Sequence, residues 1–363
     1  MSEKIHKNLQ QQYCNNNQYP IIEKKRRIVA IGDIHGDLHL LITILVKSNL
    51  IKIVDKRIEW IGSDTYIVQV GDLIDAKVRA NIKKKLNISS HSHANVNTNS
   101  TSTFGYTKKI FKLIKLLNIK AQRFGGAFMF VIGNHELFNV LGFTDYISQG
   151  EADEFKNYVD SNGKLFKNGL DARLHAFRPG NEYAKILACN GHGMIIIGTN
   201  LFVHAGLVDE YLNSLTVDSR EKSSERIIMN RDNIMKFNVV VKKFLLNLIS
   251  QDNFTDFVKL YDMDISPFMT RRLGQIPKNL SYDNPVCKKN IDGVFNKLGI
   301  NNIIIGHTPQ FIYGDGINST CDNKIWRIDV GSSHAFDTST YVKNRGPQIL
   351  EIINDNIFHT IVL

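Results

Sequence analysis

Arg27–Asp37 reads RIVAIGDIHGD, and the fold is decided by this stretch. Ile28 to Ile31 is a short continuous apolar run, as expected of a strand covered on both faces, and it stops at Gly32. Just beyond, Asp33 and His35 stand two residues apart, where a turning backbone can aim both side chains at one point. Leu38 to Leu50 has helical apolar spacing, with Asp37 placed to cap it. The same design returns twice: Tyr66 to Val70 ends at Gly71-Asp72, and Ala127 to Ile132 ends at Gly133-Asn134. Ile110 to Leu117 reads as an amphipathic helix between them. Further short strands are predicted at 194–197, 201–203, 302–305 and 324–329, with a closing hairpin over 349–363 around Asn354-Asp355-Asn356. Two of these runs also stop at an imidazole, LFVHAG at His204 and IIIGHTP at His307. Strands that alternate with helices and later follow one another predict an α/β fold of two mixed sheets packed as a sandwich and flanked by helices. In such layouts the loops leaving the carboxyl ends of strands build the site, and the polar motifs stand at those ends.

With 363 residues, 43% of them hydrophobic and 22% charged, the chain can fill a large core. One catalytic domain over 27–363 is expected, preceded by a mobile polar tail (1–26) rich in Gln, Asn and Lys. The Ser-, Asn-, Thr- and His-rich run at 87–105 reads as a disordered insertion, and it takes His91 and His93 with it. A helical cap over one end of the sheets is expected at about 208–270. Nothing approaches the ~20 apolar residues of a membrane span, and the polar start lacks a secretory signal, so a cytoplasmic protein with no membrane partner is expected. Cys14, Cys189, Cys287 and Cys321 are scattered without a CxxC pair, which predicts reduced, incidental thiols. The net charge of +10 favours phosphate-bearing partners in general. Its clusters at 24–27 and 83–85 are short and lack interleaved aromatics, so a nucleic-acid groove is not expected.

Every candidate donor is a carboxylate or amide oxygen or an imidazole nitrogen, a set that suits a first-row ion such as Mn, Fe or Zn. Taken in order, D-x-H, GD-x-x-D, GNHE, H and GH resemble the calcineurin-like metallophosphoesterase superfamily over residues 28 to 335. The resemblance implies two divalent metal ions, manganese foremost. Asp33 and His35 would hold one, Asn134, His204 and His307 the other, and the Asp72 carboxylate would bridge them. Such a pair, about 3.5 to 4 Å apart, can share a hydroxide and clamp phosphoryl oxygens for in-line displacement. His135 would be the general acid that protonates the departing alkoxide, with Asp75 orienting and charging its imidazole. A helix or turn cap is the other reading of Asp75.

GNHE and the GHTP ending resemble the phosphoprotein phosphatase branch. More narrowly, VQVGDLID, GNHELFNVLG, RLHAFRPGNEYAKILA, FVHAGL and SPFMTRRLG look like bacterial-type Shewanella-like protein phosphatases, whose members include some acting on phosphotyrosine. That resemblance nominates Arg271, or its neighbour Arg272, for substrate phosphate, alongside Asn134. One departure matters. Where the family has arginine after the second aspartate, this chain has Ala76 and then Lys77, and a lysine replaces a guanidinium fork only partly. Weakened phosphate binding or a shifted substrate is therefore expected, and Ala205 in place of a family glycine adds only a methyl group. The expected function is a metal-dependent phosphomonoesterase acting on phosphorylated protein (Ser/Thr or Tyr) or small phosphoesters. The alternatives are a dinucleoside-polyphosphate hydrolase and a pseudo-phosphatase that docks phosphoproteins.

Overall fold

Alternation within strand β2 (Arg27–Ile31) sends its side chains to two different cores. Ile28 and Ala30 join a cluster with Val68, Val131, Ile195, Phe202 and Ile304. Val29 and Ile31 turn the other way, into a larger cluster with Leu41, Ile44, Ile114 and Phe130. All four are fully buried, which is why the run is apolar without a polar interruption. The computed structural model describes residues 1–14, 18–78, 105–215, 231–336 and 344–363.

The first cluster is the seam between two six-stranded sheets. One runs in the order β16 (Ile357–Val362), β15 (Gln348–Ile353), β2, β5 (Tyr66–Gln69), β6 (Ala127–Val131) and β9 (Gly191–His192). The other runs β1 (Ile21–Ile22), β10 (Met194–Ile197), β11 (Asn200–Val203), β12 (Asn302–Ile305), β14 (Ile325–Arg327) and β13 (Asn318–Thr320). Both are mixed: β2, β5 and β6 are parallel, whereas β15 lies antiparallel to β2 with Leu350 opposite Ala30. Small hairpins are formed by β3 (Ile51–Val54) with β4 (Arg57–Trp60), and by β7 (Tyr158–Val159) with β8 (Leu165–Phe166). The β15–β16 turn puts Asn354 and Asp355 at φ 50° and 78°, the left-handed backbone that Asn and Asp tolerate in tight hairpins.

Helices α2 (Leu38–Lys47) and α3 (Thr107–Gln122) cover the outer face of the first sheet. Asp37 caps α2, its Oδ1 accepting from the Leu40 N–H at 2.9 Å. The remaining α-helices among the described residues are α1 (Ser2–Tyr13), α4 (Asn134–Leu141), α5 (Gln149–Asp153), α6 (Gly169–Phe177), α7 (Glu182–Asn190), α8 (Asp209–Ser214), α9 (Asp232–Leu245), α10 (Gln251–Phe257), α11 (Arg272–Gln275) and α12 (Pro285–Leu298).

Several expectations need correction. The first 26 residues do not form a mobile tail among those described, because α1 packs on α9 and buries His6, Leu9 and Gln10, and β1 extends the second sheet beside β10. Contacts remote in sequence supply the order that local composition lacks. The thiols are paired: Cys14 with Cys189 and Cys287 with Cys321, at Cα separations of 5.3 and 5.8 Å that fit a disulfide. Partners 175 and 34 residues apart leave no spacing motif to read. In the expected cap region, α9 lies along α1, α7 and β10 on the flank of the sheets, and it is Met263, Met269 and Arg271 that reach the strand ends. The insertion read at 87–105, with His91 and His93, lies outside the described residues except for Gly105.

Candidate metal centre

Each strand of interest delivers its donor within four residues of its end: β2 to Asp33 and His35, β5 to Asp72, β6 to Asn134 and His135, β11 to His204, and β12 to His307. Both sheets contribute. The turns are tied to one another, since the Ile34 and His35 N–H groups both donate to the Asp72 carbonyl at 3.0 and 2.8 Å. The buried Glu136 carboxylate accepts from the N–H groups of Gly133, Asp72 and Leu73 at 2.7, 3.0 and 2.8 Å. His35, Asp72, Asp75 and His307 all have positive φ, between 45° and 74°, a costly backbone that the surrounding hydrogen bonds over-determine. Gly133 and Gly306 have a different constraint. A Cβ at either would lie 2.2 Å from a carboxylate oxygen, of Asp72 and Asp33 respectively, so only glycine lets those carboxylates seat.

The Asp72 carboxylate faces two groups at once. Its Oδ1 is 3.3 Å from His204 Nε2, and its Oδ2 is 3.8 Å from both His35 Nε2 and His135 Nε2. Asp33 Oδ2 lies 4.0 Å from His35 Nε2 and accepts the His307 N–H at 3.0 Å. Asn134 Oδ1 sits 2.9 Å from His204 Nε2 and 2.9 Å from His307 Nδ1. Donor atoms of His35, Asp72 and His135 gather within 4.8 Å of one another, and so do those of Asp72, His204 and His307. All six expected ligands are thereby brought together, and His135 is drawn into the first group beside His35.

These donors fit a pair of cations. His307 Nε2 donates to the Met269 carbonyl at 3.0 Å, and burial followed by the Arg271 charge holds the imidazole well below its usual proton affinity. Its Nδ1 therefore turns a lone pair toward Asn134 Oδ1, an arrangement of two acceptors that suits a positive charge between them. His204 donates Nδ1–H to the Val70 carbonyl at 2.8 Å, so Nε2 is the atom that faces the centre. Burial, then the charges of Asp329 and Asp72, push the Asp33 carboxyl well above its usual range. Burial also raises Asp329, to about 6, and Asp329 Oδ2 is buried without a hydrogen-bond partner. Crowded buried carboxylates with an orphaned oxygen call for cations.

A cavity of about 500 Å³ opens onto this centre, and Lys77, Arg271, Phe138, Tyr146, Met263 and Phe336 help line it. Arg271 Nη1 donates to the His307 carbonyl at 2.9 Å, whereas Arg272 pairs with Glu210 at 2.9 Å on the surface, which separates the two candidates. Ala76 instead borders a neighbouring hollow of about 80 Å³ with Gly36 and Tyr106. His135 Nδ1–H donates to Asp75 Oδ2 at 2.8 Å, and its ring meets Tyr146 edge to face with centroids 4.7 Å apart. Asp75 thus holds the imidazole, and among the described residues its carboxylate caps no helix. Glu136, Asn139, Glu151, Arg173 and Asp329 carry no assigned role in the reading of the sequence, although Glu136 and Asn139 stand in GNHELFNVLG and Arg173 opens RLHAFRPGNEYAKILA.

Fold and site together define a metallophosphoesterase, and the chain belongs to the calcineurin-like phosphoesterase family, whose model matches residues 26–311. It is a phosphoester hydrolase with a metal-binding site. A protein of Acanthamoeba polyphaga mimivirus, itself uncharacterised, is 35% identical over 68% of this chain and 96% of its own length. Shewanella-like protein phosphatase 2 of Arabidopsis thaliana is 25% identical over 92% of this chain and 77% of its own. Among solved structures, a cold-active protein tyrosine phosphatase superposes with a TM-score of 0.57 at 17% identity, covering 99% of this chain and 83% of that one. That of a psychrophilic Shewanella species gives 0.57 at 16%, with 96% and 88% covered. Among the described residues no helix is long and apolar enough to cross a membrane.

Proposed function

We infer that the protein hydrolyses phosphate monoesters on proteins, with phosphotyrosine as the preferred side chain. The observation that carries this reading is the cavity itself. His35, Asp72, Asn134, His307, the Asp75-bonded His135 and Arg271 border a space whose wall also carries Phe138, Tyr146, Met263, Met269 and Phe336, with Lys77 and Asp145 as further charged groups. An aryl leaving group would gain from that lining, whereas a serine methylene would leave most of it wet. The likeness to a protein phosphatase of Arabidopsis and to solved protein tyrosine phosphatases supports the same class.

When bound, a pair of divalent cations supplies neutralising charge for the phosphoryl group and acidifies the attacking water. Asp33 and His35 would hold one, Asn134, His204 and His307 the other, with Asp72 between them. Manganese is the proposed metal. Arg271, held by its bond to the His307 carbonyl, keeps its fork beside the phosphoryl oxygens, and Lys77 adds a mobile charge. With Nδ1 pinned to Asp75, His135 keeps Nε2 as the atom that delivers a proton to the leaving oxygen.

Purified protein given Mn²⁺ should release phosphate from phosphotyrosine peptides at least ~10-fold faster than from phosphoserine peptides. Asp72→Asn should abolish the activity, and His135→Ala should lower kcat by about 10² to 10⁴ with metal retained. Equal rates in wild type and both variants would refute the reading. Ala76 motivates a second one, a phosphoprotein-docking protein with little turnover. Ala76→Arg decides between them: activity appearing only in that variant favours docking.

A further inference from the structure

A fully buried arginine, the first residue of RLHAFRPGNEYAKILA, lies behind the His135–Asp75 pair. We propose that Arg173, on α6, is the positioning residue that fixes Asp75, and through it His135, for proton delivery; this rests on the phosphomonoesterase reading above. Arg173 has no solvent exposure, and its guanidinium is used in three directions. Nε donates to Asn139 Oδ1 at 2.8 Å, Nη1 to Thr107 Oγ1 at 2.7 Å, and Nη2 to Asp75 Oδ1 at 3.5 Å, with Glu151 Oε1 3.8 Å away. Its plane lies near the rings of Phe177 and Phe155, 5.0 and 5.5 Å from their centroids.

Two neighbours of Arg173, Asn139 and Glu151, also hold part of the acid pair, and Thr107 holds Glu151. Asn139, turned by its bond to Nε, donates Nδ2–H to Asp75 Oδ1 at 2.8 Å and to the His135 carbonyl at 2.9 Å. Glu151 accepts the N–H groups of Asp75 and Ala76 at 2.9 and 2.8 Å, which pins the left-handed backbone of Asp75 at φ 74°. Thr107 donates its hydroxyl to Glu151 Oε1 at 3.2 Å while accepting from Arg173. Asp75 Oδ1 is thus occupied from behind, and Oδ2 is left for His135 Nδ1. Two buried carboxylates, Asp75 and Glu151, share this one guanidinium, so charge balance and geometry depend on the same residue. Asn134, His204 and His307 do not touch it.

The test compares full-length, Mn²⁺-loaded wild type with Arg173→Met, Arg173→Lys and Thr107→Val across phosphomonoesters of rising leaving-group pKa. Metal content, melting temperature and the His135 Nδ1 proton resonance are followed in parallel. A positioning role predicts that Arg173→Met loses ~100-fold in kcat on alkyl phosphates but only ~3-fold on p-nitrophenyl phosphate, because activated leaving groups need little protonation. KM and metal content should hold, the Nδ1 resonance should vanish, and Arg173→Lys should recover part of the rate. Thr107→Val, which keeps the charge, should steepen the leaving-group dependence less and serves if Arg173→Met does not fold. In a His135→Ala background Arg173→Met should cost nothing further. Uniform losses on all esters, or an unchanged His135 resonance, would overturn the assignment. A wild type that binds metal and hydrolyses no monoester would instead overturn the functional reading, while the resonance still reports on Arg173.

Discussion

At the level of single residues, the glycines of the GD, GNHE and GH motifs are as constrained as the candidate ligands beside them. Gly306 is the clearest case, because an added methyl would meet Asp33 Oδ1 at 2.2 Å and Val70 at 2.9 Å. Gly306→Ala should therefore lose bound metal and at least ~100-fold in activity, while circular dichroism stays native apart from a drop in stability of about 1 to 3 kcal/mol. Metal content equal to wild type would refute this. Asp33, His35, Asp72, Asn134, His204 and His307 were legible because a donor at the end of an apolar run has few other reasons to be there. Arg173 and Glu151 were not, since each sits within a helix, and only the packing of α5 and α6 brings them to Asp75. Arg271 was ambiguous with Arg272 until the surface pair with Glu210 claimed the latter.

Among the elements, α1 shows how tertiary contact can override composition. Its residues are mostly polar, yet His6 and Leu9 are buried against α9, and Cys14 is bonded to Cys189 at the end of α7. No local pattern announces either fact. Burial, then the charge of Lys242, holds the His6 imidazole down to about 4, and burial lowers Lys242 to about 7. The unfolded chain takes a proton at His6 near pH 6.5, and the folded one resists until about pH 4. The contribution of His6 to the docking of α1 should therefore be complete above pH 6.5 and fall by roughly 3 kcal/mol as the pH falls to 4, whereas Lys242 acts in a separate window between 10.5 and about 7. Hydrogen exchange of α1 amides, compared with His6→Gln, measures it; identical protection profiles in the two proteins would count against the assignment. The central strands, in contrast, were legible nearly to the residue, because being covered on both faces leaves an unbroken apolar run.

For the molecule as a whole, the candidate site draws on both layers of the sandwich: Asp33, His35, Asp72 and Asn134 follow strands of one sheet, His204 and His307 strands of the other. Chelation should leave four buried carboxylates, Asp33, Asp72, Glu136 and Asp329, repelling one another with less compensation. The melting temperature should fall by several degrees along with activity, and Mn²⁺ should restore both. A chelator that stops turnover without moving the transition would show that the ions do not clamp the layers. The sandwich was foreseeable from the order of its elements; its N-terminal packing and its disulfides were not, because they join segments that neither spacing nor periodicity relates. One last consequence concerns synthesis. Strand β2 sits between β5 and β15, and β15 begins only at Gln348. A ribosome must therefore have released the chain through β15 before Leu350 can pair with Ala30. Until then one backbone edge of the strand leading to Asp33 stays open, which makes the nascent chain a natural client for chaperones.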